Sequence, residues 1–122
     1  MTTVAPDPQG RTAPGWTRVC RLEHLVADAG VTARVDGEPV AVFLLADGAL
    51  HAIDAVDPFT GAMVLGRGLV GSAGAVPYVA SPLLKQRFSL VDGSCLDHDT
   101  VVVRTWAARV VEGVVEVSAG LP

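Results

Sequence analysis

Lysine is nearly missing from this chain: Lys85 is the only one, and the eight arginines are scattered. Nucleic-acid binding relies on clustered Lys and Arg that neutralise phosphates, so a nucleic-acid partner is not expected. Charge is sparse altogether, with 18% of residues charged and a formal net charge of −4. Long hydrophobic runs are missing too. The longest candidate, Val40 to Ala46 (VAVFLLA), is far short of the about 20 apolar residues that a membrane-spanning helix needs. The first residues, MTTVAPDPQGRTAPG, show no basic stretch followed by an apolar one. No secretory signal is therefore expected, and the reducing cytoplasm is the expected compartment. Cysteine occurs twice, as Cys20 and Cys95. In that compartment a structural disulfide is not expected, and two isolated cysteines make a poor metal site. They read as small buried hydrophobes.

What the chain has instead is apolar bulk. Half of its 122 residues are hydrophobic and the mean hydropathy is +0.44. Such a chain has the means to fold and is not intrinsically disordered. Its length fits one domain. Residues 1–15 hold Pro6, Pro8, Pro14, Gly10 and Gly15, which reads as a flexible tail ahead of a domain over 16–122. From Trp16 onward the pattern is short β-prone runs between turn dipeptides. Valine alone supplies 21 residues, and its branched Cβ favours pleated backbone.

Trp16–Cys20 reads as a first strand, and Leu22–Ala29 as about one helical turn. Val31–Val35 alternates in a strand pattern, and Asp36-Gly37 then marks a hairpin because both residues tolerate positive φ. Val40–Leu45 is continuously apolar, as a strand buried on both faces should be. Asp47-Gly48 turns the chain into Ala49–Asp54. Asp57 to Gly74 contains Gly61, Gly66, Gly68, Gly71 and Gly74 and reads as a long irregular loop. Val76–Ala80 and Arg87–Val91 read as strands, separated at Ser81-Pro82 and closed by Asp92-Gly93. Cys95–Asp99 is polar, Val101–Val111 extended, Glu112-Gly113 a turn, and Val114–Val117 a last strand. About eight or nine strands with turns every 8–12 residues predict an all-β antiparallel sandwich or small barrel.

No catalytic constellation stands out. His24, His51 and His98 lie far apart, without metal-ligand spacing. Asp97-His98-Asp99 reads as a solvated turn. Ser81, His51 and Asp54 compose a triad only on paper, since no G-x-S-x-G elbow is present. The pair Asp54 and Asp57 reads as exposed loop residues. The glycines of 61–74 match no phosphate-binding pattern, and no helix follows them. Catalytic, cofactor-binding and metal-binding residues are all expected to be absent from this chain.

One layout is informative. Asp57-Pro58-Phe59 and Ser81-Pro82-Leu83-Leu84 form two loops within the β meander, and the second runs on into Phe88-Ser-Leu90 and Gly93. This resembles the Rieske iron–sulfur domain, in which one loop carries Cys-x-His and the other Cys-x-x-His, two Cys holding one iron and two His the other. On that resemblance the ligand positions are Asp57, Phe59, Ser81 and Leu84. Phenylalanine and leucine offer iron no lone pair, and aspartate and serine are poor substitutes for thiolates. Cys20 and Cys95 lie outside both loops. The resemblance therefore implies a Rieske-like β-sandwich or barrel with two loops in the place of the cluster-binding loops, and no [2Fe–2S] cluster.

A cluster-less Rieske-like chain of this size is similar to one family, the small subunit of assimilatory NAD(P)H nitrite reductase (NirD). Residues about 16–118 carry the likeness: Trp16-Thr-Arg-Val-Cys20, Val40-Ala-Val-Phe43, Ile53-Asp54-Ala-Val-Asp57-Pro-Phe59, Leu65-Gly-Arg67-Gly68-Leu-Val-Gly71, Val79-Ala-Ser81-Pro-Leu-Leu-Lys85-Gln86 and Gly93-Ser-Cys95-Leu96. The resemblance implies a non-catalytic subunit that docks on a large subunit. FAD, sirohaem and a [4Fe–4S] cluster would lie there, and NAD(P)H would feed the six-electron reduction of nitrite to ammonium. The other reading is a free-standing Rieske-like binding module. Phe59 and Leu84 are expected to hold the two loops together by apolar contact, or else Phe59 is exposed as a docking anchor. Arg67, Lys85, Gln86 and Arg87 are the candidate polar rim of a partner interface with Phe59.

Overall fold

The computed structural model describes residues 11–13 and 15–119. Ten strands and two single 3-10 turns follow one another: β1 (Arg11–Ala13), β2 (Trp16–Arg21), a turn over Leu22–His24, β3 (Ala29–Val35), β4 (Glu38–Leu44), β5 (Leu50–Asp54), a turn over Leu65–Arg67, β6 (Leu69–Ala73), β7 (Val76–Ala80), β8 (Arg87–Ser89), β9 (Thr105–Val111) and β10 (Val114–Ser118). Seven of the strands form one antiparallel sheet in the order β1-β2-β10-β9-β5-β4-β3. That sheet curls until β3 comes near β2, giving a nearly closed barrel. The remaining three strands make a smaller antiparallel sheet, β6-β7-β8, that leans on the barrel as a lobe. The expected all-β, barrel-like architecture is the one observed.

The tight turns do what their residues allow. Asp36 and Gly37 take φ of 52° and 83° between Val35 and Glu38, which pair across the hairpin. Glu112 and Gly113, at 51° and 79°, do the same between β9 and β10. Positive φ at both central residues is the hairpin geometry that matches strand twist.

β4 explains the packing. Val40, Ala41, Val42 and Phe43 are all fully buried. Alternate side chains point to opposite faces. Val40 and Val42 enter the barrel interior with Val35, Ala52, Trp106, Val115 and Val117. Ala41 and Phe43 face the other way, joining Ile53, Leu65, Val79, Phe88 and Leu90 between barrel and lobe. The continuous apolar run is thus the seam of two cores.

Several expected boundaries shift. Arg11–Ala13 pairs with β2, so the sheet begins before Trp16; residues 1–10 and 14 of the expected tail lie outside the described residues. The helical turn is confined to Leu22–His24, because β3 already begins at Ala29. The stretch 57–74 is not one long loop, since β6 occupies Leu69–Ala73 and pairs with β7. Three of its glycines, Gly66, Gly68 and Gly71, serve close packing, whereas Gly61 and Gly74 have open space and positive φ. A Cβ on Gly68 would collide with the Ala80 carbonyl oxygen, and one on Gly71 would stand 2.7 Å from Tyr78 Oη. β8 stops at Ser89, whose hydroxyl accepts the Val91 N–H at 3.1 Å and turns the chain. β9 begins only at Thr105; the preceding 101–104 runs beside 93–95 as isolated pairings.

Candidate functional site

β5 delivers the chain to the first loop with its end anchored. The Asp54 carboxylate accepts Trp106 Nε1–H at 2.9 Å and the Arg104 N–H at 3.3 Å, and the Arg104 guanidinium lies 3.9 Å over the Trp106 ring. Three residues on, Asp57 is completely buried. Its Oδ1 accepts the Phe59 N–H at 2.8 Å, its carbonyl accepts the Gly61 N–H at 2.7 Å, and its own N–H donates to Ala62 O at 2.8 Å.

The second loop repeats this plan. Ser81, also completely buried, follows β7. Its Oγ accepts the Leu83 N–H at 3.3 Å, its carbonyl accepts the Lys85 N–H at 3.0 Å, and its N–H donates to Gln86 O at 2.9 Å. The partners sit two, four and five residues ahead in both loops. The fourth position is left-handed in both, φ 75° at Gly61 and 70° at Lys85. The two like-built turns face each other, and Ser81 Oγ–H donates to Asp57 Oδ2 at 2.6 Å. A buried, short hydrogen bond to a carboxylate belongs to the stronger class, worth about 1.5–3 kcal/mol. That matches the full burial of one large apolar side chain, also about 1.5–3 kcal/mol.

The cross-link between the loops is therefore polar, where an apolar one was expected. Phe59 is half-buried and packs on the core between barrel and lobe, its ring centroid 6.2 Å from that of Phe88 and 5.5 Å from that of His98. Leu84 does not join it and is 53% exposed. The signal for the actual cross-link was in the sequence: Asp57-Pro58-Phe59 and Ser81-Pro82-Leu83 share one plan, a turn-forming side chain before proline and an apolar residue.

The other singled-out residues divide into tied and free. Arg87 is tied, its Nε and NH2 groups reaching Asp97 at 3.1 and 2.8 Å while its backbone N–H also donates there, and it lies 5.4 Å over the Tyr78 ring. This fork holds the Asp97 carboxyl below its ordinary range and raises the guanidinium further. Arg67 and Lys85 are exposed, and Gln86 is half-buried with Oε1 enclosed and unpaired among the described residues. Asp54 and Asp57 serve different partners. Ser81 and Asp54 are likewise committed elsewhere, so no triad forms with His51, which sits opposite Phe43 in β5. Asp97 turns to Arg87 and His98 to Phe59, so the Asp97-His98-Asp99 triplet does not converge.

The donors do not suit an iron–sulfur cluster, which wants four thiolate or imidazole ligands. Asp57 and Ser81 spend their oxygens on each other and on backbone N–H groups, while Phe59 and Leu84 bring no donor atoms. Cys20 lies opposite Val115 in the barrel wall, where burial pushes its thiol up, and Cys95 is buried opposite Phe88. Among the described residues no group of three or more His, Cys, Asp or Glu side chains is placed to hold a metal ion.

A barrel with a three-stranded lobe and two matched, facing loops defines a Rieske-like domain, here pinned by side chains. The family model for the Rieske-like [2Fe-2S] domain matches residues 15–118. The small subunit of NADH nitrite reductase from Salmonella typhimurium is 40% identical over 102 residues, covering 83% of this chain and 94% of that protein. The crystal structure of the NADH-dependent nitrite reductase small subunit from Mycobacterium tuberculosis superposes with a TM-score of 0.83 at 48% identity, over 84% of this chain and 93% of that one. The chain belongs to the nitrite reductase small-subunit family of Rieske-like domains. A segment of the nitrite reductase large subunit from Klebsiella oxytoca is also similar, 40% identical over 98 residues, which are 80% of this chain and 10% of that protein.

Proposed function

We propose that this chain is the small subunit of an NAD(P)H-dependent nitrite reductase, and that it works through its shape and surface, with no catalytic residue or iron–sulfur cluster of its own. The Asp57–Ser81 hydrogen bond carries this reading, because it stands where the resemblance puts the two cysteine ligands and leaves their replacements satisfied without metal. FAD, sirohaem, a [4Fe–4S] cluster and the NAD(P)H site belong on the large subunit, where nitrite takes up six electrons to become ammonium. The Klebsiella large subunit, with a similar domain inside its own chain, supports a role alongside that partner. The domain acts in the cytoplasm, in nitrate and nitrite assimilation. Arg67, Lys85 and Gln86 stay on the proposed interface, whereas Phe59 and Arg87 support it from below.

The test is co-expression of this chain with the large subunit of its own organism. The two should purify together, and the complex should reduce nitrite with NADH or NADPH faster than the large subunit alone. The isolated chain should be colourless and free of iron. Stoichiometric iron and sulfide in the isolated chain, or a large subunit indifferent to it, would overturn the proposal.

A further inference from the structure

Beyond the Asp57–Ser81 contact, the two loops turn large apolar side chains outward. Met63, Leu83 and Leu84 are 49%, 50% and 53% exposed, and Leu69 at the start of β6 is 69% exposed. The backbone keeps them at one end of the molecule. Leu83 N–H donates to Ser81 Oγ, and Ser81 in turn donates to Asp57. Met63 pairs with Val56, the neighbour of Asp57, and Leu69 pairs with Ala80, the neighbour of Ser81. Large apolar residues grouped on a rigid end of a small domain mark a binding face.

The stretch of chain that carries these four residues is also short of acid. From Pro58 to Val91 the sequence contains no Asp or Glu, only Arg67, Lys85 and Arg87. With −4 overall, that stretch stands at +3 and the remainder of the chain at −7. Arg87 is neutralised by Asp97, while Arg67 and Lys85 form no ion pair with any described residue. An acidic protein thus presents an apolar tip with two exposed cations, Arg67 and Lys85, in the same stretch of chain. Such a face suits an apolar patch bordered by carboxylates and repels surfaces of its own sign.

We infer that this tip, with Met63, Leu69, Leu83 and Leu84 at its centre and Arg67 and Lys85 at its rim, is the face that docks on the large subunit of nitrite reductase. The inference rests on the proposed function for the identity of the partner. The occupant follows from the charge pattern and from the Klebsiella protein, in which a similar domain is part of the large-subunit chain. Asp57 and Ser81 then have a second consequence, since they hold the two halves of the docking face in register.

The experiment measures binding of this chain to the purified large subunit. Leu83→Ser/Leu84→Ser should weaken binding about tenfold or more, as loss of a central apolar contact does. Its melting temperature should stay that of the parent, because both side chains are half exposed. Arg67→Glu should slow association and flatten its dependence on salt. Val110→Ser, at an exposed barrel position, should bind like the parent. If the double variant loses its fold, Leu84→Gln and Arg67→Glu carry the test alone. Parent-like binding by the tip variants would overturn the docking face yet leave the subunit reading intact. No binding by the parent chain would overturn both. Self-association of the isolated chain that disappears in the tip variants while large-subunit binding persists would make the tip a contact between copies, and would also overturn the inference.

Discussion

At the residue scale, the position to test is the pair Asp57 and Ser81. Each is fully buried and each satisfies the other. Removing one leaves a buried polar group unpaired, which costs more than the bond is worth. Asp57→Ala and Ser81→Ala should each lose about 2–4 kcal/mol of stability. The double variant should lose less than the two losses combined, with a coupling of about 1.5–3 kcal/mol in denaturant titrations. Additive losses would show that the bond couples nothing. The Arg87–Asp97 fork answers to pH instead. Because hydrogen bonds from Arg87 lower the Asp97 pKa, folding gains from the ionised carboxylate above the unfolded value of about 3.9. That gain disappears as pH falls through the lowered folded value. Melting temperatures of the parent and Asp97→Asn should therefore differ most near neutrality and converge in acid. A difference that widens below pH 4 would contradict this.

At the element scale, the two loops are one design used twice, and the fourth position shows it. Gly61 adopts φ 75° freely, whereas Lys85 holds φ 70° against its own Cβ. Lys85→Gly should leave thermal stability unchanged or raise it. Lys85→Val should lower stability by about 1–2 kcal/mol, since a branched side chain tolerates left-handed backbone worst. Equal melting temperatures for the two variants would show that the second loop adjusts its backbone. How far these elements could be read from residue order depends on what made them. β4 was legible, because a short, valine-rich apolar run between the turn dipeptides Asp36-Gly37 and Asp47-Gly48 fits a strand with core on both faces. The hairpins at Asp36-Gly37 and Glu112-Gly113 were legible because turn chemistry is local. β6 was not, because Gly68 and Gly71 look like loop residues until Ala80 and Tyr78 are seen lying on them. The loop cross-link was half legible. The absence of metal ligands pointed to a substitute, but an apolar one, and only the fold reveals that Asp57 and Ser81 meet across 24 residues of chain.

At the scale of the whole molecule, barrel and lobe share a core, and among the described residues no group of three or more His, Cys, Asp or Glu side chains is placed to hold a metal ion and no disulfide joins Cys20 to Cys95. The cluster between them draws Ala41, Phe43 and Ile53 from the barrel and Val79 and Phe88 from the lobe. Four of these belong to the largest fully buried side chains: Phe43, Phe88, Ile53 and Val79. At about 1.5–3 kcal/mol each, they rival the few to 15 kcal/mol that hold a typical domain folded. A lobe stripped from the barrel would expose that surface and could not persist alone. The chain should therefore unfold in one step. Its aromatic residues let this be observed, because Trp16 and Trp106 report from barrel strands β2 and β9, while the single tyrosine, Tyr78, reports from β7 of the lobe. Tryptophan fluorescence and Tyr78 ring resonances should give the same midpoint in urea, and chelator should move neither. A lobe transition preceding the barrel transition would mean that the shared core is too weak to couple them. Rigidity of the tip would then have to come from the large subunit rather than from this chain.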